Sequence, residues 1–158
     1  MRRNTRTRGE GFSLLEVVIV VAIIAILAAI GIPRMSRGSK GANDSAVGGN
    51  LAVLRNAIDL YAAEHGGSFP GATTIADQLT KYTDISGTTS ATKTTSAIYG
   101  PYLRSVPPLP VGAKKGSTGI ATEDGTGVGW IYVEASGTIK ANTTATEKDE
   151  SDKLYSDY

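Results

Sequence analysis

Cysteine is absent from this 158-residue chain, which removes any disulfide framework and any thiolate metal site. Histidine occurs once, at His65, so a nucleophile–base pair of the usual kind would have to run through that single imidazole. No Gly-x-Ser-x-Gly elbow, P-loop or His-Glu-x-x-His helix is present, and an enzyme is a poor reading. An excess of one charge is also lacking, since 16 Lys and Arg face 15 Asp and Glu. The basic cluster Arg2, Arg3, Arg6 and Arg8 is confined to residues 1–11, with only Glu10 against it. No aromatic residue interleaves with it, which argues against nucleic acid. At this length the chain has room for one domain and an appendage.

What is present is an apolar run, Phe12 to Pro33, with neither a charge nor a polar side chain from Val17 to Ile32. A helix rising about 1.5 Å per residue needs about 20 such residues to cross the hydrocarbon core, so the run reads as a membrane span. Arginines precede it, and Arg34 and Arg37 follow it. That balance keeps the N-terminal side cytoplasmic and sends the bulk of the chain outside. A cleavable secretory signal would have a shorter run and an Ala-x-Ala-like site; Gly31 and Pro33 mark a bend instead. Glu16 stands near the head of the run. A carboxylate at the centre of a span costs about 2.5–3.5 kcal/mol, so it either snorkels to the interface or has a partner.

Gly11-Phe12-Ser13-Leu14-Leu15-Glu16 after a short basic leader resembles the signal of the type IV pilin and type II secretion pseudopilin superfamily. The resemblance covers about the first 33 residues. It implies cleavage between Gly11 and Phe12 by a prepilin peptidase, N-methylation of Phe12, and pairing of the new Phe12 ammonium with Glu16 of a neighbouring subunit. Such a pair converts two unfavourable burials into one and penalises every other stagger. It also implies a long first helix that locally unwinds near its proline in a filament, which makes Gly31, Pro33, Gly38 and Gly41 a weak zone. Within the superfamily, Tyr99-Gly100-Pro101-Tyr102-Leu103-Arg104-Ser105-Val106-Pro107 and the Gly129–Tyr132 and Gly137–Ile139 pair are similar to stretches of the major type II secretion pseudopilin. Where that family commonly has Asp-Pro-x-Gly, this chain has Leu109-Pro110-Val111-Gly112, without the aspartate of the calcium loop.

The expected fold is therefore α+β: a long N-terminal membrane-spanning helix whose C-terminal half packs on a small antiparallel β-sheet, the pilin fold. The divisions are a leader at 1–11, a transmembrane and assembly helix at 12–33, an amphipathic second half at 34–66, a globular head at 67–142 and a polar tail at 143–158. Leu51, Leu54, Ile58 and Tyr61 recur three or four apart with Arg55, Asn56, Asp59 and Glu64 off that stripe, and Gly66-Gly67 and Pro70 stop the helix. A capping-box-like Thr74-Ile75-Ala76-Asp77 predicts a short helix near 75–83, and residues 86–96 read as a surface loop. Val128–Glu134 and Thr138–Ala141 read as a hairpin with Trp130 and Tyr132 on one face, and a third strand is expected near Ile98–Leu103. Residues 143–158 read as too polar for a core, a mobile tail.

Calcium takes about six to eight oxygen ligands. Glu123-Asp124-Gly125 and Asp149-Glu150-Ser151-Asp152 offer some, but neither matches a ligand-spaced loop, and both read first as solvated acidic loops. Asn142-Thr143-Thr144 fits a glycosylation pattern, and His65 reads as a helix C-terminal residue facing open carbonyls. The favoured function is a pseudopilin that polymerises into a periplasmic pseudopilus, with a type IV pilus as the alternative. Its implied partners are further copies of itself, the peptidase, an inner-membrane assembly platform and minor pseudopilins. A membrane-anchored periplasmic binding protein with Trp130, Tyr132, Tyr99 and Tyr102 as an aromatic face is the rival of another class, although core packing explains those aromatics more simply.

Overall fold

The computed structural model describes residues 12–158, apart from the side chains of 31–39. The chain divides after Ser39 into two units. Helix α1 spans Leu14–Glu64, and its bounds include Gly31, Pro33, Gly38 and Gly41 of the expected weak zone. Only Gly41 among these four has its surroundings described.

In the second unit, Lys40–Tyr158, α1 carries a buried stripe of Val47, Leu51, Leu54, Ile58 and Tyr61, none more than 3% exposed. Spacings of three and four put these side chains on one face, and each fully buried one contributes about 1.5–3 kcal/mol. The helix ends as its glycines predict. Gly66 and Gly67 both adopt positive φ, and the Gly67 N–H returns to the Ala62 carbonyl at 2.8 Å.

The stripe packs on a mixed sheet of β3 (Gly119–Ala121), β4 (Val128–Val133) and β5 (Thr138–Ala141), in that order. The expected hairpin is β4–β5, antiparallel with Trp130 opposite Ala141 and Tyr132 opposite Ile139. Gly137 at φ 66 closes the turn between them. Trp130 and Tyr132 are fully buried on the face toward α1, their polar ends spent on the carbonyls of Pro107 (2.8 Å) and Pro70 (2.9 Å). The third strand differs from expectation. It is β3, which pairs parallel to β4 through a bulge at Gly119/Ile120. A parallel neighbour fits here because the backbones close in: a Cβ on Gly129 would lie 2.2 Å from the Ser117 carbonyl oxygen.

Residues 98–103, expected as that strand, instead wrap the end of α2 (Ile75–Thr80), with the N–H groups of Tyr102 and Leu103 both donating to the Leu79 carbonyl. Tyr99 contributes one bridge to Thr83 of a second, two-stranded sheet, β1 (Tyr82–Thr83) and β2 (Thr89–Ser90). The loop expected over 86–96 therefore contains a short strand. The expected capping box does not form, because Thr74 makes no side-chain cap and Asp77 turns to Lys81 at 2.8 Å. Gln78 does the tying, accepting from the Gly71 N–H at 2.8 Å and donating to the Gly87 carbonyl at 2.9 Å.

The tail is the largest departure. Residues 143–158 fold against the head, with Tyr155 only 5% exposed in a 3-10 turn at Tyr155–Asp157 and Lys148 bridged to Leu154. Two tyrosines and their carboxylate partners hold a segment whose mean composition is polar.

Candidate assembly segment and the polar clusters of the head

Phe12 and Glu16 lie one helical turn apart at the start of α1, where the Ser13 carbonyl accepts the Val17 N–H at 3.3 Å. With Val17, Val20 and Val21 they line a surface groove of about 180 Å³. Glu16 in the first turn also favours the helix end, where unpaired N–H groups present partial positive charge. The cleavage position Gly11 lies outside the described residues. From Phe12 to Ile30, thirteen large apolar side chains are between 49% and 86% exposed. A soluble monomer seldom shows a contiguous apolar surface of this kind. Among the described residues no helix is long and apolar enough to cross a membrane. The span expected over 12–33 ends on positions whose side chains lie outside the description.

His65 sits at the end of α1 as expected, but buried, with Nδ1 2.8 Å from the Tyr61 carbonyl oxygen. Its Nε2 lies 2.9 Å from the Asp84 carbonyl oxygen and 3.1 Å from the Thr83 hydroxyl, and its ring stacks on Tyr61 at 3.8 Å. Thr83 is fully buried, so this one hydroxyl–imidazole pair has no path to a substrate. Burial of Trp130 and Tyr132 likewise removes them from any exposed aromatic face.

The acidic loops are occupied by partners from the chain itself. Asp124 accepts from Lys114 at 2.8 Å and from the Asn142 amide at 2.8 Å; the Lys114 contact leads in holding its carboxyl below the usual range. Asn142 is 8% exposed and also donates to the Val128 carbonyl, so the glycosylation pattern is folded away. Glu147 accepts from the N–H groups of Ala113 (2.6 Å) and Thr144 (2.7 Å). Burial raises its carboxyl, and these two bonds outweigh it. Asp149 accepts from the Tyr158 hydroxyl at 2.5 Å and from the N–H groups of Ser151 and Lys153, and Asp44 accepts from the Tyr155 hydroxyl at 2.5 Å. Among the described residues no group of three or more His, Asp or Glu side chains is placed to hold a metal ion. The Tyr155–Asp44 pair was beyond sequence reasoning, because nothing local links residues 111 positions apart.

A long first helix packed through its second half on a small sheet is an α+β architecture consistent with a pilin fold. Residues 6–32 match the family described as the prokaryotic N-terminal methylation motif. That match supports the type IV pilin and pseudopilin superfamily, whose members are structural, and it implies prepilin-type processing and a membrane-anchored product. It does not separate a secretion pseudopilus from a pilus. No curated protein and no solved structure matches the chain.

Proposed function

We propose that this chain is a pseudopilin: cleaved after Gly11, methylated at Phe12, held in the inner membrane by its apolar helix, and polymerised through that helix into a periplasmic pseudopilus serving type II protein secretion. The observation that carries the reading is the bare apolar surface of Phe12–Ile30 with one carboxylate, Glu16, near its head. Lipid covers such a surface before assembly, and neighbouring copies cover it afterwards, each buried side chain contributing about 1.5–3 kcal/mol. The Phe12 ammonium and a neighbour's Glu16 then pair and fix the stagger. Similarity of residues 99–107 and of the β4–β5 hairpin to the major pseudopilin favours the secretion branch.

Mass spectrometry of sheared filaments tests the processing, and the expected mature chain begins at an N-methylated Phe12. An intact Met1 terminus in filaments overturns it. In the same assay Glu16→Val is expected to keep membrane insertion, since it removes a transfer cost of about 2.5–3.5 kcal/mol, and to lose filaments, since a buried partner left unpaired costs about 3–5 kcal/mol. Cleaved Glu16→Val subunits that assemble in normal amount would show that the glutamate only reaches for the interface.

A further inference from the structure

Within the second unit, the stretch of α1 from Gly41 to Asn50 is the part least able to hold itself helical. It contains Gly41, Gly48 and Gly49 with Asn43, Asp44, Ser45 and Asn50. Interior glycine is the poorest helix former after proline, and Asn, Asp and Ser compete for the backbone. Ser45 does so here, its hydroxyl donating to the Gly41 carbonyl at 2.9 Å. Val47 is the only side chain of this stretch that is buried in the core.

The C-terminal segment supplies what the core does not. Asp44 accepts from the Tyr155 hydroxyl at 2.5 Å and from the Glu150 N–H at 3.1 Å, so both its oxygens are held by residues of 150–155. The Glu150 carboxylate lies 3.5 Å from where a Cβ on Gly41 would stand, and the Tyr158 ring lies 4.0 Å from the same point on Gly48. Arg55 donates to the Tyr158 carbonyl and, at 3.3 Å, to that of Ile139, which ties the segment to β5. The segment is braced internally as well, with the Tyr158 hydroxyl on Asp149 and the Lys153 ammonium 4.2 Å above the Tyr158 ring.

We propose that residues 143–158 form a detachable strap that decides whether residues 41–50 of α1 are helical. Held through Tyr155 and Asp44, the stretch stays wound; with the strap released it melts, while the sheet-packed turns from Leu51 onward remain. Unwinding changes the rise from about 1.5 Å to about 3.3 Å per residue, so the strap sets the length of this part of the chain. Nothing in the device requires filament formation.

Amide hydrogen exchange of the full chain in detergent micelles tests it. Tyr155→Phe keeps the ring and removes the bond to Asp44; Asp44→Ala removes the acceptor and leaves the core untouched. Both are expected to speed exchange in 41–50 and 149–158 by about tenfold, with 51–61, 130–133 and 138–141 unchanged. Adding Gly49→Ala, whose methyl group meets nothing within 4 Å, is expected to slow 41–50 again without slowing 149–158. The proposal is overturned if 41–50 stays protected while 149–158 loosens, if the sheet peptides accelerate with them, or if Gly49→Ala gives no rescue.

Discussion

Tyr158 and Asp149 act as one unit at the residue scale, and each shifts the other in the direction its hydrogen bond dictates. The Asp149 carboxylate pushes the Tyr158 hydroxyl up to about 12, and the Tyr158 hydroxyl leads in holding Asp149 below the usual carboxylate range. A raised tyrosine contributes stability that is fully present below its ordinary value of 10.0 and is lost as pH climbs through about 12. The lowered aspartate works from the other side: its contribution is present above 3.8 and disappears as pH falls through the lowered folded value. In an alkaline absorbance titration, Asp149→Asn is expected to return one of the seven tyrosines toward 10.0. Late ionisation of Tyr132, raised to about 12 by burial and then by Glu134, is expected to be unmoved by that change. An unaltered titration curve would show that the Tyr158–Asp149 bond does not persist in solution.

The hairpin and the helical stripe are the elements whose demands on sequence are sharpest. Gly137 holds φ 66, and a Cβ there would stand 2.4 Å from the Phe69 ring. Gly137→Ala is therefore expected to cost about 1–3 kcal/mol, from left-handed strain together with forced movement of a partly buried aromatic, read as a lower denaturant midpoint. A midpoint unchanged within error would mean that Phe69 swings aside freely. These same elements were the ones legible in sequence, because the Leu51–Leu54–Ile58–Tyr61 spacing and the alternation of Trp130 and Tyr132 are dictated by burial on one face. The strands β1, β2 and β3 were not legible. Each is only two or three residues long, too short for an alternation to show, and β3 pairs where the missing side chain of Gly129 admits its backbone rather than by local pattern. In the candidate assembly segment, Phe12 and Glu16 were readable as a motif. The strap was hidden by its polar average, since composition does not reveal that Tyr155 and Tyr158 have carboxylates waiting for them.

At the scale of the whole molecule, the chain divides into two units, and among the described residues those of 12–30 in the first are all exposed while the buried core lies in the second. Every side chain of that core, from Val47 to Tyr155, belongs to Lys40–Tyr158. A chain beginning at Lys40 is expected to fold cooperatively and stay monomeric without detergent, whereas the full chain is expected to associate unless detergent covers Phe12–Ile30. Sedimentation of the two proteins side by side checks this. A shortened chain that aggregates would place part of its stability in the first unit. Trp130 makes the comparison easy to follow. It is the chain's one indole, fully buried at the centre of β4 with its N–H on the Pro107 carbonyl. The protein thus carries a single indole inside the head, so its emission spectrum, excited to the red of tyrosine absorption, follows unfolding of that core and is blind to leader cleavage or the covering of the apolar helix. A wavelength shift on polymerisation would report that the filament strains the fold down to the 107–130 contact.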